Sequence, residues 1–72
     1  MNASDLPGYV VDAMKAYNRA HLVYMLADLD TVDGGQEARA RFHAASSAEG
    51  AALRELRAAV RRARDEGLIR TN

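Results

Sequence analysis

Asp28-Leu29-Asp30-Thr31-Val32-Asp33-Gly34-Gly35-Gln36 divides the chain into two long segments of helical periodicity. Two consecutive glycines preceded by polar residues mark a turn. Asp33, followed three residues later by Gln36, has the spacing of a capping box, and Glu37 adds negative charge where a helix dipole favours it.

Upstream of this turn, no breaker interrupts the sequence from Pro7 to Leu29 except Gly8. Pro7 sits where a first helical turn tolerates proline, and Ser4 or Asp5 can serve as the cap. Advancing about 100° per residue places Tyr9, Val10, Ala13, Met14, Tyr17, Ala20, His21, Tyr24 and Met25 within one arc. Asp12, Lys15 and Arg19 fall on the opposite side. The second half changes character. Leu22, Val23 and Leu26 lie outside the first arc, so the segment from Ala20 to Ala27 is apolar almost all round. A helix apolar on every side is normally covered on every side.

Downstream, Ala38, Phe42, Ala45, Glu49, Ala52, Leu56, Val60 and Ala63 recur at spacings of three and four, with Leu53 beside them. The pattern keeps its phase to Gly67, which fits the left-handed position after a helix end, and Arg61, Arg62 and Arg64 suit the negative pole of the dipole. Ser46 and Glu49 also have capping-box spacing, so residues 46–50 are the place where this helix would bend or break. The expected fold is all-α: an antiparallel hairpin with helices at about 7–29 and 35–66, one domain over residues 1–72. Two hairpins are expected to pair into a four-helix bundle.

Composition bounds the rest. Of 72 residues, 15 are alanine and only 14 are Leu, Ile, Val or Phe, which leaves a small core. Ten basic residues balance ten acidic ones. The balance hides an asymmetry, because residues 1–50 carry four Lys/Arg against seven Asp/Glu and residues 51–72 carry six against three. With no cysteine there is no disulfide framework and no thiolate chemistry. No apolar run is long enough for a membrane span, and Met1–Asp5 lacks the features of a secretory signal, so a cytoplasmic location is expected.

Large side chains are distributed very unequally. The first helix carries eleven, whereas Phe42, Leu53, Leu56 and Val60 are the four between Gln36 and Glu66. An alanine stripe can cover one side of the first helix and no more. Tyr17, His21, Leu22, Val23, Tyr24, Met25, Leu26 and Leu29 are therefore the expected interface of a homodimer, the commonest soluble assembly. A three-helix monomer and an obligate complex with a different protein are the alternatives.

Candidate chemistry is sparse. His21 lies on the apolar arc and Glu49 in the middle of the alanine stripe, so an unbroken second helix would bring them together at mid-height. Such a pair is either a device that fixes helix register or a general base with its orienting carboxylate. Tyr9, Tyr17 and Tyr24 suit an interface, where the ring packs and the hydroxyl reaches a polar rim. Asp28, Asp30 and Asp33 fail the calcium-loop pattern, since the fifth, sixth and twelfth positions counted from Asp28 hold Val32, Asp33 and Arg39. His21 and His43, without cysteine or an HExxH motif, make no zinc site. No metal and no cofactor are expected. Arg54, Arg57, Arg61 and Arg64 form one helical row that phosphates could meet, although the zero net charge is unlike that of most nucleic-acid binders. The expected function is a non-enzymatic interaction or assembly protein acting through homo-oligomerisation and a protein partner. A DNA-associated regulator using the arginine row, and a ligand-binding or catalytic bundle around His21 and Glu49, are the alternatives.

Overall fold

The structure is a computed structural model and describes residues 6–32 and 34–68. Helix α1 spans Gly8–Asp30 and helix α2 spans Gln36–Asp65, and they pack against each other as a hairpin. Both ends agree with the expected bounds to within one residue. The second helix is continuous through Ser46–Gly50, so Ser46 is an interior residue and caps nothing. Among the described residues no helix is long and apolar enough to cross a membrane.

The helix ends are closed mainly by backbone. Pro7 is the N-cap of α1, and its carbonyl accepts from the Val10 and Val11 amides at 3.0 and 3.1 Å. Ser4 and Asp5, expected as caps, lie outside the described residues. The N-cap of α2 is Gly35, without a side-chain cap bond, so the capping box expected from Asp33 and Gln36 does not start this helix. Asp33 itself lies outside the described residues. At the far end Gly67 takes φ +75°, as its position after the helix predicts. The Leu68 amide donates to the Ala63 carbonyl at 2.9 Å and the Gly67 amide to the Arg64 carbonyl at 3.0 Å. This double closure is a Schellman motif, which only a left-handed residue such as glycine completes cheaply.

Where the helices meet, the seam is made of small side chains. Val10 and Ala27 of α1 are buried, as are Ala38, Ala45 and Ala63 of α2. Alanine adds little bulk to the contact, so the backbones can approach closely. Tyr9, Ala13, Tyr17, Ala20 and Tyr24 line the same side of α1, half-buried. Among the described residues nothing packs against the opposite side. Leu22, Met25, Leu26 and Leu29 are 57, 50, 55 and 68% exposed.

The global dimensions agree. The radius of gyration is 15.4 Å, against about 11 Å for a compact domain of this length. The accessible surface is 5540 Å², whereas a compact folded chain of the same mass exposes about 4,400 Å².

Gly34 makes the tight connection possible. A Cβ there would collide with the Ala38 side chain and lie 2.7 Å from the Asp30 carbonyl oxygen, the same oxygen that accepts from the Gly34 amide at 2.8 Å. Gly35 has nothing within 4 Å of a built Cβ. Gly34→Ala is therefore expected to destabilise the fold by about 1–3 kcal/mol, the usual cost of overpacking. Gly35→Ala is expected to cost well under half as much, and urea unfolding of the two variants side by side checks the difference.

Candidate functional site

Three parts of the hairpin carry polar chemistry or unused surface: a histidine–carboxylate pair at mid-height, a clip at the open end, and an arginine row on the back of α2. An uncovered apolar stripe on α1 is the fourth feature.

His21 and Glu49 meet. Nδ1 of His21 lies 2.7 Å from Oε2 of Glu49. The antiparallel register sets this contact, and the continuity of α2 through Ser46–Gly50 places Glu49 facing α1. The imidazole is sandwiched along its own helix, with Tyr17 at 5.8 Å and 17° on one side and Tyr24 at 6.2 Å and 22° on the other. Phe42 of α2 extends the row, 5.3 Å from Tyr24, and His43 meets the edge of Phe42. Aromatic packing and the carboxylate thus hold the ring in one orientation.

With a proton on Nδ1, the imidazole donates to Glu49 and leaves Nε2 as the outward acceptor, an arrangement that a general base can use. The environment is unlike that of an enclosed catalytic site. The His21 side chain is 46% exposed and that of Glu49 23%. Of the surface grooves along the hairpin, three are bordered by other described residues, and neither His21 nor Glu49 lines them. The pair meets at mid-height, as expected, and lies at the rim of the seam, because the alanines bring the backbones together and leave longer side chains outside. Among the described residues no group of three His, Asp or Glu side chains is placed to hold a metal ion.

The clip was not apparent in the sequence. Tyr9 Oη donates to Glu66 Oε1 at 3.2 Å, Arg62 Nε donates to the same oxygen at 2.7 Å, and the guanidinium lies 4.1 Å from the Tyr9 ring centre. One cation–π contact and one hydrogen bond tie the first turn of α1 to the C-terminal end of α2, and the Arg62–Glu66 bond holds their two α2-side groups together. Helical phase sets Arg62 off the arginine row, on the flank from which it reaches this contact with its side chain 64% exposed. Loss of water around the phenol, reinforced by the Glu66 carboxylate, raises the Tyr9 pKa above its ordinary value of 10.0. Bonding to Glu66 raises that of Arg62.

Arg54, Arg57, Arg61 and Arg64 are exposed along the outer side of α2. None of them has an ion-pair partner among the described residues. Leu53, Leu56 and Val60 form an apolar floor beside Arg57, Arg61 and Arg64. Among the described residues this basic stretch forms no ion pair with the acidic side chains of α1.

Of the expected interface residues, Leu22, Val23, Met25, Leu26 and Leu29 face outward, and His21 is half-exposed at the rim. Tyr17 and Tyr24 are half-buried on the side toward α2. Val23 and Leu26 also border a groove over Ala27, Ala44, Ala45 and Ala48. No family model matches the chain, and no curated protein or solved structure is significantly similar to it.

Two measurements probe the polar contacts. For His21→Ala and Glu49→Ala, a double-mutant cycle is expected to give a coupling of about 0.2–1 kcal/mol, the range for solvent-exposed pairs, and urea unfolding reads it. For the clip, a phenol with a raised folded pKa contributes its stability below the unfolded value and loses it as pH rises through the folded value. The wild-type melting temperature is therefore expected to fall above about pH 10. Tyr9→Phe removes the titrating group and should flatten that part of the profile.

Proposed function

We propose that this protein is a small helical interaction or assembly protein, without catalytic activity of its own, that acts through homo-oligomerisation by way of α1 and through a protein partner. The carrying observation is the apolar surface of Leu22, Val23, Met25, Leu26 and Leu29, five side chains within residues 22–29 that are each at least half exposed on the single hairpin. Each such side chain contributes roughly 1.5–3 kcal/mol when fully covered. A domain's whole stability is only about 5–15 kcal/mol, so covering several of them is a large term. The polar chemistry also favours binding over catalysis: His21 and Glu49 sit outside the grooves, and the Tyr9–Arg62–Glu66 group closes one end of the hairpin.

One observation favours a second reading. The four arginines of the α2 row are exposed and unpaired among the described residues, a surface that a nucleic-acid backbone could meet. The balanced net charge and the apolar floor beside the row weigh against it.

Linkage between unfolding and concentration tests the assembly reading. The wild-type melting temperature should rise with protein concentration, because association stabilises only the folded chain. Leu26→Glu should abolish that dependence while the hairpin remains helical by circular dichroism. A concentration-independent wild-type transition would count against assembly, and salt-sensitive retention of such a chain on duplex DNA would favour the second reading.

A further inference from the structure

We propose that the exposed stripe of α1 pairs with the same stripe of a second copy, antiparallel, about a two-fold axis between Met25 and Leu26. This rests on the assembly reading and names both the occupant and its direction. The hairpin places the stripe on its outer edge. At about 100° per residue, Leu22, Leu26 and Leu29 point away from the side that carries Ala13, Ala20 and Ala27 to α2. A partner covering them must lie beyond α1, giving the order α2–α1–α1–α2 across the pair. This differs from a compact bundle closed around Tyr17 and Tyr24, which are already half-buried against α2.

Three observations select a second copy in this direction. First, the stripe reads the same both ways. Leu22, Met25, Leu26 and Leu29 are separated by three, one and three residues. Turned end for end, Leu22 meets Leu29 of the other copy, and on either side of the axis Leu26 meets Leu26 and Met25 meets Met25. An isologous interface requires this kind of self-complementarity. Second, the flanking charges match only when the copies are antiparallel. Arg19 precedes the stripe and Asp30 follows it, both on the same flank and neither with an ion-pair partner among the described residues. The two-fold axis keeps that flank on one side of the pair and brings Arg19 of each copy to within about a turn of Asp30 of the other. A parallel two-fold pair would put that flank on opposite sides of the pair and bring neither Arg19 to the height of an Asp30. Third, the single hairpin is under-buried for its mass. Its 5540 Å² exceeds the compact expectation by about 1,100 Å², the same order as the roughly 800 Å² that each partner contributes to a standard stable interface.

The absence of natural cysteine allows single engineered thiols to report the pairing. Full-length Leu22→Cys and Leu29→Cys chains, mixed in equal amounts and oxidised at micromolar concentration, should give the 22–29 disulfide about fivefold or more over either homodisulfide, since only opposed positions reach bonding distance. Arg19→Asp should raise the dimer Kd about fivefold, and Asp30→Arg added to the same chain should restore it, consistent with the size of exposed ion pairs. Predominant 22–22 and 29–29 products, or a statistical mixture, in a chain that still sediments as a dimer would overturn the antiparallel pairing and leave assembly standing. A chain that sediments as a monomer, with cross-linking no faster than random collision, would overturn both.

Discussion

The close approach of α1 to α2 across alanine is the constraint on which the rest of the molecule depends. Ala38, Ala45 and Ala63 of α2 and Ala27 of α1 are buried, with Val10 the largest fully buried side chain. A seam of methyl groups removes little apolar area from water, so its contribution per residue is small. It also has no reach. Longer side chains extend past it on either side, which puts the aromatic row at one rim and the alanine-floored groove of Val23 and Leu26 at the other. The outer edge of α1 receives no cover from the described residues.

From that constraint follows an unusual division of labour for so short a chain. Polar contacts define the alignment of the helices: His21 with Glu49 at mid-height and Tyr9 with Arg62 and Glu66 at the open end. Gly34 sets the turn at the closed end. Exposed ion pairs contribute little net stability, but three fixed points along two helices discriminate one register from its neighbours. The apolar side chains that would ordinarily supply the stability are concentrated where the hairpin itself cannot use them. An assembly in which another chain covers them gives those residues a physical role.

Much of the fold was legible in the sequence because its signals were local. The Gly34-Gly35 pair located the turn, unbroken periodicity located both helices, and Gly67 located the end of the second. Even the His21–Glu49 contact could be read, since an antiparallel hairpin of known turn position fixes which residues share a height. Other features depended on tertiary context. Gly35 rather than Asp33 caps α2, because the approach of Gly34 to Ala38 and to the Asp30 carbonyl decides where the helix begins. The Tyr9 clip joins residues 57 positions apart, so no local pattern reports it. Tyr17 and Tyr24 could not be separated from Leu22 and Leu26 by periodicity, because that half of α1 is apolar all round. Only the position of the alanine seam shows which sector is used within the hairpin and which is left over.

Sedimentation equilibrium of the wild-type chain at micromolar concentration tests this account most directly. The account predicts a mass twice the 7.8 kDa of one chain. A single species at the mass of one chain, folded and unchanged across a hundredfold range of concentration, would contradict it.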